Sequence, residues 1–407
     1  MANKYKYLQY TESDIAMFRN CRIKQWDWLL IIGSVIAPMT GLRITKVGPA
    51  EMLCFIWAIR YLSPSMNRNA FTKFFTVFLS AMLIGTLVGL AVAPDELSRN
   101  GWFTWLYLSY IACTLFSVIS KNDLLYNEKI FDLICRLSVV WCLFLYIYSI
   151  TVKNSFLGAP LWYYSRFTGG GTNPHQIAVM FCGISFWFLR QIVRGKNHIG
   201  NVIFFLVTVF LVYKTESETG YVAIFIGLLT FVFVYTISNI HDRRRRAVLI
   251  AIEIMATIIL LILYNNHLYR MLYDWVASDA NGLGRFYLWS SVKQMFVKSP
   301  IFGLGPGVHA ISAGGHAKEF HNSYIEIYAA SGIFGVIALI LFSVRCFHTL
   351  KEGDQYLLPI LASMYMYSVA GFAFRRLAFW VIVVFSYTIA MQLIYEKNDR
   401  LDGQPWR

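Results

Sequence analysis

Charged side chains are scarce in this chain: they make up 14% of its 407 residues, where a soluble domain carries about 25%. Acidic residues are scarcer than basic ones, 22 Asp and Glu against 36 Lys and Arg. The resulting net charge of +14 invites a nucleic-acid reading. In an apolar chain, however, Lys and Arg serve first to keep loops on the cytoplasmic side of a membrane, so no nucleic-acid partner is expected. Cysteines are few and badly spaced for chemistry. They stand at 21, 54, 113, 135, 142, 182 and 346, and no two form Cys-x-x-Cys. This argues against a zinc site or a disulfide framework and reads as small buried apolar residues. There is no internal repeat, low-complexity tract or coiled-coil heptad. The first apolar run begins near Trp26 and lacks a small-residue cleavage site, so it reads as a retained span and not a signal peptide.

What the chain has is hydrophobicity. It is 57% hydrophobic and 17% aromatic, with a mean hydropathy of +0.52. Apolar runs near the ~20 residues needed to cross a bilayer recur along it. In lipid the backbone must satisfy its own hydrogen bonds, so spans are helices or closed barrels. The runs are continuous and do not alternate, which selects helices. The predicted fold is an all-α integral membrane protein of about 12 transmembrane helices with one large periplasmic loop. The expected spans are 26–44, 49–63, 72–93, 101–119, 131–152, 174–193, 200–213, 219–239, 247–265, 323–347, 356–373 and 378–395. Residues 1–25 and 396–407 then form a cytoplasmic N-terminal segment and a cytoplasmic tail. Residues 26–265 hold helices one to nine, 266–322 the periplasmic catalytic loop, and 323–395 the last three helices. No soluble domain is visible at either end.

Counting every Lys and Arg tests the direction. With the N-terminus inside, 23 of the 36 fall in cytoplasmic segments and 13 outside, the bias expected of a protein with both termini in the cytoplasm. The run Arg243–Arg246 is the strongest anchor. The outside set is Arg43, Lys46, Arg99, Lys153, Arg166, Lys214, Arg270, Arg285, Lys293, Lys298, Lys318, Arg375 and Arg376.

Three polar segments face outside: Arg166 to His175, Lys214 to Gly220, and the long loop from Asn266 to His321. The loop carries Gly-Leu-Gly-Arg at 282–285, Ser-Pro-Ile-Phe-Gly-Leu-Gly-Pro-Gly at 299–307 and Phe-His-Asn-Ser-Tyr at 320–324. The glycines at 303, 305 and 307 do not make a phosphate loop, because Pro306 intervenes and no Walker lysine follows. They read as a turn that sends the chain back toward the membrane. His309, His316 and His321 lack the i, i+4 spacing of a helical metal pair, and no metal or cofactor is expected. His321 differs from the other two because it precedes an apolar run, where Asn322 or Ser323 can cap a helix. A helix N-terminus favours the neutral imidazole, which suits a general base. Arg285 opens an amphipathic stretch with apolar residues at 286, 289, 292, 295 and 296, helical spacing that places the arginine at a first turn. Glu253 lies within a predicted span, where a carboxylate is costly; snorkelling or pairing with a neighbour accounts for it. Trp162, Tyr163, Tyr164 and Trp275 suit either sugar stacking or an interfacial aromatic belt.

In order, these motifs resemble the O-antigen ligase and polymerase superfamily. The resemblance rests on Arg285 with Trp289, the 299–307 segment, His-Asn-Ser-Tyr at 321–324 and Ala-Ser-Gly-Ile-Phe-Gly at 330–335. Upstream, Arg166-Phe-Thr-Gly and Asn-Pro-His-Gln-Ile-Ala at 173–178 are similar to another segment of the family. The resemblance covers roughly 160–345. It implies a metal-independent glycosyltransferase of the bacterial inner membrane, acting at the periplasmic face. The donor would be an undecaprenyl-diphosphate-linked glycan, the acceptor another lipid-linked glycan or the lipid A-core, with membrane lipid around it and a chain-length regulator as a possible partner. Carried over by position, Arg285 binds the diphosphate and His321 deprotonates the acceptor hydroxyl. The sequence departs from the family at Glu218, where an arginine is expected. Arg166, Lys214, Arg375 and Arg376 then become the other candidates for the diphosphate, with Glu218 and Asn322 as further substrate-binding residues. The first functional reading is a polymerase of surface-polysaccharide repeats, O-antigen or capsule. The second is the ligase that attaches finished glycan, and a third, without chemistry, is a lipid-linked sugar flippase or transporter.

Overall fold

A computed structural model describes residues 21–43, 47–61, 69–92, 101–195, 197–240, 242–263, 289–290, 298–307, 310–311, 317–318 and 320–401. Among these residues there are twelve α-helices. They are α1 (Asp27–Val35), α2 (Pro49–Arg60), α3 (Ala70–Val92), α4 (Gly101–Ile119), α5 (Leu124–Thr151) and α6 (His175–Val193). Then follow α7 (His198–Lys214), α8 (Glu218–Asn239), α9 (Arg243–Leu263), α10 (Ser323–Gly353), α11 (Leu358–Ser368) and α12 (Leu377–Leu401). Seven are long and apolar enough to cross a membrane: α3, α4, α5, α6, α8, α10 and α12. The only strands among the described residues are three two-stranded antiparallel ribbons. They pair β1 (Ser155–Phe156) with β2 (Ala159–Pro160), β3 (Trp162–Tyr163) with β4 (Arg166–Phe167), and β5 (Ala310–Ile311) with β6 (Ala317–Lys318). The chain is thus a helical, multi-pass membrane protein.

Several helices differ in length from the predicted runs. The first stops at Val35 and continues as a 3-10 turn over Thr40–Leu42, because Pro38 lacks an N–H and disfavours helical geometry in the residue before it. The fifth begins at Leu124, well before 131, and α11 keeps only Leu358–Ser368 of the run predicted over 356–373. The first two helices form a hairpin closed by the buried Asp27. Its carboxylate accepts from Trp57 Nε1 at 2.9 Å and from the Tyr126 hydroxyl at 2.5 Å. Six cysteines are buried and one, Cys21, is half-buried; all are free thiols. Glu253 is paired, accepting a hydrogen bond from the Thr236 hydroxyl.

The core centres on α6 and α12, the most enclosed long helices; α3 and α8 are the least enclosed. One end of the bundle is made of short turns and holds a balanced set of charges. Arg190, fully buried, donates from Nη2 to Glu128 Oε1 at 2.7 Å and from Nε to Asp354 Oδ2 at 2.6 Å. Arg194 also pairs with Glu128. Beside them Asp132 accepts from Arg136 Nε at 2.7 Å and from Trp187 Nε1 at 3.0 Å. Three carboxylates thus meet three arginines across α5, α6 and the turn before α11. Arg136, Arg190 and Arg194, which the charge count assigns to the cytoplasmic side, are therefore also structural ion pairs.

The glycine-rich segment 299–307 does more than turn. It runs alongside α10 where that helix breaks at Gly332, whose φ of 58° and ψ of −155° are not helical. Leu304 N donates to Ala329 O at 2.8 Å and Gly305 N to Ala330 O at 3.1 Å. On the far side of the break, Ile333 N donates to Ile301 O at 3.1 Å. The segment thereby satisfies backbone groups that the break exposes, as an apolar surrounding requires. Gly303 has a φ of 72°, and a Cβ there would sit 2.6 Å from Gly332 N. A Cβ on Gly332 would meet the backbone of Ile301.

Two predictions follow from these contacts. Gly332→Ala or Gly303→Ala should lower the melting temperature in detergent by far more than Gly158→Ala. Gly158 is also left-handed, at φ 85°, but has nothing within 4 Å of an added Cβ. Its expected cost is only the roughly 1–2 kcal/mol of the backbone term. Glu128→Gln, which leaves Arg190 and Arg194 buried with one carboxylate fewer, should destabilise by about 3–5 kcal/mol, read as loss of monodisperse protein or a large fall in melting temperature.

Candidate active site

At the opposite end the loops are long and knit together. Gly41 N donates to Gly170 O at 2.9 Å, and the Thr40, Thr172 and Gln176 side chains hydrogen-bond among themselves. Arg166 leaves the β3–β4 hairpin to donate from Nε to Thr215 O and from Nη2 to Glu216 O, both at 3.1 Å. The Ser165 hydroxyl donates to Glu216 Oε2 at 2.8 Å. The hairpin is thus fastened to the α7–α8 turn. The Tyr367 hydroxyl donates to His175 O at 3.0 Å, and His175 Nδ1 lies 3.1 Å from the Ser217 hydroxyl. Residues 36–43, 152–174, 215–217, 320–322 and 369–376 therefore share one end.

The start of α10 is built from its own sequence. The Asn322 side chain accepts from Tyr324 N at 2.9 Å and Ile325 N at 3.0 Å, so Asn322 is the N-cap. This satisfies donors that a helix start otherwise leaves open. His321 precedes it with a φ of 51°, a left-handed conformation that costs a non-glycine residue roughly 1–2 kcal/mol. Strain of this kind gathers at functional positions. The Ser323 hydroxyl ties the same turn to Gly371 O at 2.6 Å. Trp289 Nε1 donates to Phe320 O at 3.0 Å, which anchors the long loop at this point.

One cation, Arg375, stands behind the ring that His321 touches. The imidazole packs edge-on to Phe372 with centroids 4.8 Å apart, and Arg375 stands 4.6 Å above the same phenyl ring. Arg375 Nε also lies 2.7 Å from Glu326 Oε1. Arg43 is paired with Glu51. The Tyr107 hydroxyl lies within electrostatic reach of Arg43, Arg375 and Arg376, and that of Tyr367 within reach of Arg376 and Arg166. Arg43, Arg375 and Arg376 thus act on Tyr107, and Arg376 and Arg166 on Tyr367. Lys214 closes α7 at the flank, its ammonium 5.5 Å from the Tyr213 ring. Glu218 opens α8 one residue after its cap Ser217, and its charge reaches Tyr221.

The fold brings His321, Asn322 and, through Phe372, Arg375 together, and sets Arg376 and Arg166 within electrostatic reach of Tyr367. Lys214 and Glu218 bracket the turn that Arg166 holds. Arg285 lies outside the described residues, as do His309, His316 and Trp275. Sequence reading assigned Arg43 and His175 no role in the site, and did not single out Glu326, Phe372, Tyr107 or Tyr367. Glu326 carried a usable signal, a carboxylate in the first turn of an apolar helix. Phe372 carried none, being one of 32 phenylalanines.

Chemically, the region offers cations for an anionic group and an imidazole at a helix start. Arg166→Lys should separate hairpin from helix turn, since an ammonium cannot reach two carbonyls with a planar fork. The expected result is faster proteolytic cleavage within 152–174 together with loss of function, at unchanged yield.

No curated protein matches the chain. The family model described as O-antigen ligase matches residues 203–340, a stretch that contains α8, α9, the long loop, His321 and the broken first half of α10. That match lies within the stretch whose motifs resemble the O-antigen ligase and polymerase superfamily, and it supports that resemblance.

Proposed function

We propose that this protein is a glycosyltransferase that moves a glycan from a lipid diphosphate carrier, undecaprenyl diphosphate, to a sugar hydroxyl. The observation that carries the reading is His321. It is held at a capped helix start, one phenyl ring away from Arg375, inside the segment that matches the family. In this mechanism the imidazole takes the proton of the acceptor hydroxyl. The freed oxygen attacks the anomeric carbon, and the bond from that carbon to the diphosphate breaks. The diphosphate then leaves with its charge held by Arg285, Arg166, Arg376 and Lys214. Arginine forks suit such oxygens because they donate paired hydrogen bonds. Donors aimed at developing charge commonly supply the largest catalytic effect, so the chemistry asks for cations and a base and uses no metal. Asn322 orients the helix start, and Glu218 accepts from an acceptor hydroxyl. The site faces the periplasm, with both termini in the cytoplasm of a bacterial inner-membrane protein.

Two transfers fit these groups. The family description favours the ligase, with lipid A-core as acceptor. Glu218, standing where the family has an arginine, favours the polymerase that extends O-antigen or capsule repeats with or without a chain-length regulator. Deleting the gene and resolving surface and lipid-linked glycans by size separates them. Single repeats left on the core mean a polymerase; long chains stranded on the carrier mean a ligase. Complementation with His321→Ala or Arg285→Ala should fail. Full ladders from both variants at normal expression would remove the catalytic reading and leave transport of lipid-linked sugar.

A further inference from the structure

We infer that Phe372, Arg375 and Glu326 form a clip that positions the His321 imidazole, and that Arg375 is a positioning residue and not a substrate cation. The inference rests on the reading of His321 as the base. The backbone of His321 is fixed by the Asn322 cap and by the Ser323 bond to Gly371 O. Its side-chain torsions are not fixed by either. The ring direction is set by what it touches, and the ring contact at hand is Phe372, tilted 72° to it at 4.8 Å.

Phe372 comes from the turn between α11 and α12, so its placement is one of the contacts that set where the imidazole points. The guanidinium of Arg375 covers the phenyl ring at 4.6 Å. Glu326 holds Arg375 through Nε at 2.7 Å, with both side chains largely shielded, at 14% and 21% exposure. Glu326 sits on α10, five residues after His321. The contacts therefore close a ring: from α10 through Glu326 to Arg375, across Phe372, and back to His321 on the same helix start. A base displaced by ~1 Å can lose about a hundredfold in rate, which gives such a clip a purpose. An arginine already stacked on an aromatic face and paired with a carboxylate is poorly placed to clamp a diphosphate as well. That work then falls to Arg166, Arg376 and Arg285.

The test uses the full-length protein in lipid nanodiscs, with lipid-linked glycan extracted from the gene-deleted host as donor. Phe372→Ala should lower kcat by about 10- to 100-fold with donor KM unchanged, and Phe372→Tyr, which keeps the ring, should restore most of that loss. Arg375→Ala should show the same split, and Arg375→Lys should not rescue it, because an ammonium lacks the planar stacking face. A raised donor KM with kcat retained in Arg375→Ala would place Arg375 on the substrate and overturn the inference. So would an unchanged kcat in Phe372→Ala, or a loss matched by an equal loss of folded protein in thermal melts. His321→Ala run alongside separates the two claims: retained turnover there overturns the base assignment itself and the clip with it.

Discussion

The broken helix α10 governs how the two halves of the family-matched segment meet. A helix interrupted among apolar neighbours exposes carbonyls and an N–H that lipid cannot bind. Here Ala329 O, Ala330 O and Ile333 N are instead bonded by the backbone of residues 301–305. The glycine-rich segment must therefore lie against α10, and it can approach only because residues 303 and 332 carry no side chain. With that segment in place, the short first half of α10 becomes a separate rod running from the Asn322 cap to Ser331. His321 stands at the tip of that rod.

The two ends of the bundle handle charge differently. At the short-turn end, three arginines and three carboxylates neutralise one another and join α5, α6 and α11. Burying such a set is costly, and its use is to fix which helices meet, since each charge accepts few partners. At the long-loop end, Arg43 pairs with Glu51 and Arg375 with Glu326. The first arrangement holds a scaffold still. The second lies at the end where, in the proposed function, the diphosphate is bound next to the imidazole.

Part of that site was legible in the chain itself. Asn322 as a cap followed from an amide before an apolar run, and the sharing of one end by Arg166, Lys214, Glu218, Arg375 and Arg376 followed from alternating spans. The pairing of Arg43 with Glu51 and of Arg375 with Glu326 did not follow, because each depends on where two chain segments pack. Counting charges also treated Arg190 and Arg194 as topology signals. Nothing in their spacing shows that Glu128 and Asp354, 62 and 164 residues from Arg190, lie against it.

The sequence by itself determined the helical membrane class and the resemblance to a superfamily. Both depend on local quantities, the length of apolar runs and the order of short motifs, which need no partner in space. It also determined the cap at Asn322, a contact between near neighbours. The tertiary structure decided the break at Gly332, the insertion of 299–307 beside it, and the route from Glu326 through Arg375 and Phe372 to His321. These are contacts between segments distant along the chain. Their geometry is set by packing of whole helices, and no local propensity encodes it.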